Sequence, residues 1–110
     1  MKLGNLSEMI GGWFIGDFEP SLIKNKDFEA SVKYYKKGDE ESKHMHKVPT
    51  EITVIQSGKA IMKDKTLIKG DIIVLEPGDS TSFLALEDTT TFVIKFPSVK
   101  NDKYIIKDNA

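Results

Sequence analysis

Apolar and polar side chains alternate with a period of two along most of this chain, the mark of strands with two unlike faces. In Phe28-Glu-Ala-Ser-Val-Lys-Tyr-Tyr35, residues Phe28, Ala30, Val32 and Tyr34 share one face and Glu29 and Lys33 the other. Lys36-Lys37-Gly38-Asp39 ends that run as a turn. Residues 50–57 are rich in β-branched side chains and close at Gly58, which predicts another strand. A hairpin is expected from 59–63 and 66–69 around Asp64-Lys65, and Gly70-Asp71 separates it from the apolar run 72–75. Pro77-Gly78-Asp79 reads as a tight turn, and further strands are expected at 81–86 and 90–96, the last stopped by Pro97. The segment 6–10 offers a short helix before Gly11-Gly12, and no longer helical stripe follows. Many short strands at spacings of about 8 to 12 residues predict an all-β sandwich or barrel.

A chain of 110 residues suits one domain, expected to span 1–110. Its barrel core is expected at about 28–96, with N-terminal strands within 13–25 and a polar tail at 100–110 in which 104–106 could pair as an edge strand. With 39% apolar and 30% charged residues the balance is that of a globular protein. No apolar run approaches the roughly 20 residues of a membrane-spanning helix, so no membrane partner is expected. Met1-Lys2-Leu3-Gly4-Asn5 carries one lysine and no following apolar stretch, unlike a signal peptide, and the expected location is cytoplasmic. Without cysteine the chain has no disulfide, thiolate nucleophile or Cys-ligated metal. A net charge of -1 argues against a nucleic-acid partner. All 16 bases are lysines, so no guanidinium fork exists to clamp a phosphate or carboxylate.

The two histidines of the chain stand two residues apart, in His44-Met45-His46. On an extended strand both imidazoles project from one face, with Cα atoms about 6 to 7 Å apart, a span that lets two nitrogens converge on one ion. Glu51 follows five residues later, and Pro49 between them introduces a bend that can return its carboxylate toward the imidazoles. Two His and one carboxylate suit Fe(II), Mn(II) or Zn(II) with coordination positions left open. Glu51 shares strand parity with Thr53 and Ile55, and Phe83 and Ala85 share it with Thr81. Phe92, Ile94 and Phe96 form another one-sided run, expected in the core or lining the pocket.

These residues resemble the first motif of the cupin family: Gly38, five residues, His44-Met45-His46, four residues, Glu51, six residues and Gly58. The second cupin motif is half present. Gly70 and Gly78 keep its spacing, but Glu76 stands where proline is expected, with Pro77 one place late, and Thr81 and Ala85 occupy the histidine and asparagine positions. The resemblance, over about 28–96, implies a double-stranded β-helix or jelly-roll barrel with ligands projecting inward. It implies one divalent transition metal (Fe, Mn, Zn or Ni) on His44, His46 and Glu51, with Thr81 at the vacated fourth position. Thr53, Phe83 and Tyr34 are the expected pocket lining; of the adjacent Tyr34 and Tyr35 one faces inward. The implied function is a metal-dependent enzyme of oxygenase (non-haem iron) or isomerase type acting on a small organic molecule. The alternatives are a non-catalytic metabolite- or sugar-binding cupin, or a sugar-nucleotide isomerase of a polysaccharide pathway, against which the absence of arginine weighs. The resemblance also implies a homodimer, and Trp13, Phe14 and Phe18 are candidates either for an aromatic interface or for burial within one subunit.

Overall fold

The computed structural model describes residues 1–100 and 103–106. The part of the expected polar tail at 101–102 and 107–110 lies outside the described residues. Strands dominate: β1 (Trp13–Gly16), β2 (Ile23–Lys24), β3 (Glu29–Tyr35), β4 (Glu40–Met45), β5 (Thr50–Ser57), β6 (Lys59–Met62), β7 (Lys65–Ile68), β8 (Ile72–Leu75), β9 (Ser80–Ala85), β10 (Thr89–Phe96) and β11 (Tyr104–Ile105). They form two facing sheets, one of six strands in the order β2-β1-β3-β10-β5-β8 and one of five in the order β11-β4-β9-β6-β7. The short helix expected near the start is a single 3₁₀ turn at Leu6–Glu8, capped by the Asn5 side chain accepting from the Ser7 N–H. Among the described residues no helix is long and apolar enough to cross a membrane.

The connections follow from local turn chemistry. Gly38, Gly70 and Gly78 have φ of 92°, 92° and 91°, the left-handed value a type II turn needs at its third position. In each, the following aspartate closes the turn twice. The N–H groups of Asp39, Asp71 and Asp79 donate to the carbonyls of Lys36, Ile68 and Glu76 at 2.9 Å. Their carboxylates accept from the N–H groups of the same three residues at 2.8, 2.8 and 2.9 Å. Pro77 supplies the fixed φ of the second position, which is why it stands beside Gly78. The β6–β7 hairpin turns at Lys63-Asp64, one residue earlier than expected, with both central residues at positive φ (51° and 60°) as a twist-matched two-residue hairpin requires.

The apolar core lies between the sheets at one end, built from Ala60, Met62, Leu75, Phe83 and Ala85, with Tyr35, Leu67 and Ile73 packed against it. The other end of the interior is polar. This reverses the expectation for two strands. On β3 the cavity-facing side chains are Lys33 and Tyr35, whereas Tyr34 is 71% exposed on the outer surface. On β10, Thr91, Val93 and Lys95 face the cavity, while Phe96 is exposed and Phe92 and Ile94 are half-buried. Alternation separates two faces but does not say which one is inside. Here the interior is partly a lined cavity, so the polar set turns inward and the apolar set forms the outer surface.

That outer surface has its own order. Register places Val32 beside Phe92, Phe92 beside Val54 and Val54 beside Ile72, with Ala30, Ile94, Ile52 and Val74 in a parallel row. Two apolar rows therefore cross four strands of the larger sheet.

Candidate metal centre and its cavity

His44 is carried by β4, His46 follows one residue after that strand ends, and Glu51 opens β5. The Pro77-Gly78 turn fixes the backbone at His46, whose carbonyl accepts from the Gly78 N–H at 2.8 Å. His44, His46, Glu51, Thr53, Thr81 and Phe83 all line one cavity of about 140 Å³. Tyr34 does not, and Tyr35 takes the place expected of it, its ring 4.3 Å from that of Phe83. Adjacent strand residues face opposite ways, and the inward position falls to the one in parity with Lys33.

The donor chemistry suits a divalent ion. His44 Nδ1 lies 2.9 Å from the carbonyl of Ser42. A carbonyl only accepts, so Nδ1 carries the proton and the neutral ring keeps its lone pair on Nε2, the arrangement that outer partners impose on metal-binding imidazoles. The His46 ring lies edge-on to that of His44, centroids 5.4 Å apart, and its Nε2 is 4.0 Å from Glu51 Oε1. The 4.0 Å between donor atoms lies near the upper limit for two donors on one ion. Two donors each about 2.1 Å from an ion are separated by at most about 4.2 Å, and by about 3 Å when they sit at right angles to one another. Among the described residues, no group of three or more His, Asp or Glu is drawn close enough to hold an ion.

Thr81 faces His44 across the β4–β9 pair but its hydroxyl is committed to the main chain. It accepts from the Lys63 N–H at 3.0 Å and donates to the Ser82 carbonyl at 2.7 Å. It anchors the β6–β7 hairpin and has no proton left for a bound water.

The cavity also contains charged groups that the sequence did not single out. Glu41 and His44 are three residues apart and would face opposite sides of a regular strand. A register irregularity between them in the β4–β9 pair brings both to the cavity. The Tyr35 hydroxyl donates to Glu41 Oε1 at 2.8 Å, and Lys33 Nζ lies 3.9 Å from Glu41 Oε2. Burial and the neighbouring Glu41 carboxylate push the Tyr35 hydroxyl well above its ordinary pKa. Burial opposes ionisation of Glu41, but Lys33 and the Tyr35 hydrogen bond outweigh it and the carboxyl is held below its ordinary value. Lys95 Nζ pairs with Glu29 Oε1 at 3.1 Å, and Ser98 donates to Glu29 Oε2 at 2.7 Å. Trp13, instead of joining an outer aromatic patch, lines this cavity, with Lys33 and Lys95 at 5.1 and 4.7 Å from its ring centroid. Phe18 stands edge-on to it at 6.5 Å. Trp13, His46 and Lys95 also line a second, more open cavity of about 400 Å³, which forms an antechamber.

No family model and no curated protein matches the chain. Solved structures do. KdgF from Halomonas sp. is 20% identical with a TM-score of 0.63, the match covering 70% of this chain and 74% of that one. An uncharacterized conserved protein with a double-stranded beta-helix domain from Klebsiella pneumoniae is 16% identical with a TM-score of 0.72, covering 96% and 92%. The DMSP lyase DddQ from Ruegeria pomeroyi is 18% identical with a TM-score of 0.70, covering 84% of this chain and 49% of that one. The fold is therefore a double-stranded β-helix with its candidate site inside, the fold also of an RmlC-like cupin from Shewanella frigidimarina (17% identical, TM-score 0.63, covering 70% of this chain and 72% of that one). Proteins of this architecture include enzymes acting on small molecules, as the lyase does.

Proposed function

We propose that this chain is a small metal-binding cupin whose interior cavity holds a divalent transition ion and acts on a small organic molecule. His44 through Nε2, His46 and Glu51 would hold the ion. The observation that carries this reading is the convergence of all three side chains on one cavity, with the His44 tautomer tied by the Ser42 carbonyl. When bound, the ion would serve as a Lewis acid or an oxygen-binding centre. The chain's own groups do the rest. The Trp13 ring and the lysines at its faces bind and orient, and the Phe83–Tyr35 wall shields the inner cavity from water. A cytoplasmic setting belongs to the same reading.

Elemental analysis of protein purified without a histidine tag tests it. About one ion of iron, manganese, zinc or nickel per chain is expected. In His46→Ala, affinity for that ion should fall at least about a hundredfold, since loss of an outer partner alone costs about 10–100-fold. A chain that takes up none of these ions, with a cavity that still binds metabolites, would instead be the non-catalytic module.

A homodimer through the outer face of the larger sheet is the second part of the proposal. Ile72 and Val74 on its edge strand are 62% and 49% exposed, in line with the apolar rows that cross to β3. Exposed apolar side chains on an edge strand of a small protein favour a second copy. Light scattering should give a dimer for the wild type and a monomer for Ile72→Lys/Val74→Lys, with the fold unchanged.

A further inference from the structure

The most unusual group in the interior is Lys33. Its side chain is 22% exposed, and among the described residues none of its three N–H donors makes a hydrogen bond. Glu41 Oε2 is its ion-pair partner at 3.9 Å, beyond hydrogen-bond reach. The remaining contact is the face of Trp13, on which Lys95 also rests. An ammonium that is largely buried with its donors unfilled is costly. The nearby hydroxyl of Thr91, 1% exposed on the same cavity wall, has the Tyr35 hydroxyl as its neighbour. The Lys33 ammonium turned into the cavity calls for an oxygen-rich group between β3, β10 and Trp13.

We propose that Lys33, with Lys95 near it and both beside the Trp13 ring, receives the carboxylate of the cavity's ligand, so that the ligand is a small organic acid. This rests on the reading that the cavity takes a small organic molecule, and it names the class. Glu29, itself held by the Ser98 hydroxyl, already occupies the Lys95 ammonium, which makes Lys33 the primary contact and Lys95 a second source of positive field. A carboxylate also suits lysine's point charge, since the chain offers no guanidinium fork for a larger oxyanion. The apolar part of the acid would lie on the indole face and reach toward His46 and Glu51. Desolvation lowers the Lys33 pKa, and the neighbouring Lys95 lowers it further. An arriving anion would relieve both.

Trp13 is the one tryptophan of the chain, so its fluorescence reports this cavity and the more open one beside it. The full chain, stripped of metal with a chelator, would be titrated with acetate, propanoate and benzoate and with their neutral amides. A saturable change with the acids and none with the amides at equal concentration is expected. Lys33→Met should weaken the acids by about tenfold, the loss expected for a charge-assisted contact. Lys33→Met/Glu41→Gln, which removes both charges together, should show the same loss in a chain that folds without a buried unpaired carboxylate. His46→Ala should retain acid binding, which separates this proposal from the metal reading. Equal binding of acids and amides, unchanged affinity in both Lys33 variants, or no saturable response in fluorescence or ligand-observed NMR up to tens of millimolar would overturn it. So would trapping of a keto acid on Lys33 by cyanoborohydride, because the amine would then be a nucleophile.

Discussion

Gly58→Ala should lower the stability of this protein by about 3 kcal/mol, a large share of the roughly 5–15 kcal/mol that holds a small domain together. Gly58 joins β5 of the larger sheet to β6 of the smaller one, so the chain changes sheets there. Its φ is 92°, a conformation that costs an L residue about 1 kcal/mol or more. A Cβ at this position would also run into the Asp88 carbonyl oxygen and come within 2.7 Å of Thr89 Cα. Neither neighbour can swing away, because Thr89 is 2% exposed and its N-terminal flank carries the loop into β10. Its hydroxyl also accepts from the Lys59 N–H at 3.2 Å. Backbone displacement of this kind adds about 1–3 kcal/mol. Gly38→Ala is the matched control: its φ is also 92°, but nothing lies within 4 Å of the added carbon. That variant should lose only about 1 kcal/mol. At about 4 °C per kcal/mol, thermal melts should separate the two by several degrees. Equal melting temperatures would mean that crowding against Asp88 and Thr89 contributes nothing.

The two glycines also show how far residue types and spacing reach. Gly38 and Gly58 bracket the His-Met-His and Glu51 segment, and each proves to be a position where the backbone takes a left-handed φ. Local chemistry of that sort is readable because it depends on a few neighbours in the chain. The strands of β5 and β9 were legible for a related reason: Thr53, Ile55, Thr81, Phe83 and Ala85 are all buried, as their parity requires. What failed was the choice of face on β3 and β10. Tyr34, Phe92, Ile94 and Phe96 are the more apolar set, and hydrophobicity alone assigns them to the interior. Only the second sheet, which encloses a cavity lined with Lys33, Tyr35, Glu41 and Lys95, makes the polar face the inner one. Glu41 was beyond reach for a different cause. It enters the site through a break in register, and no period of two can anticipate a position that the bulge itself moves.

Glu41→Gln should destabilise the protein near neutral pH by about 2 kcal/mol, below the roughly 3–5 kcal/mol that breaking a fully buried ion pair costs because the Glu41 side chain is 29% exposed. The amide oxygen can still accept from Tyr35, so the loss isolates the charge opposite Lys33. The pH dependence carries the sign. Glu41 has a folded pKa below its ordinary 4.5, so its contribution is present above that value and disappears as pH falls through the lower folded one. Lys33 is the reverse case. Its folded pKa lies below 10.5, so the unfolded chain binds the extra proton between the two values and stability rises with pH across that alkaline window. Removing Glu41 takes away the group that raises the Lys33 pKa, which widens the window downward. Urea unfolding across the pH range should therefore show Glu41→Gln losing the acid limb and recovering stability on the alkaline side at lower pH than the wild type. In Lys33→Met/Glu41→Gln both limbs should flatten, and stability near neutrality should return to the wild-type value or exceed it, as replacement of buried pairs by neutral groups often does. A Glu41→Gln profile parallel to the wild type would show that the two charges do not act on one another across the 3.9 Å gap.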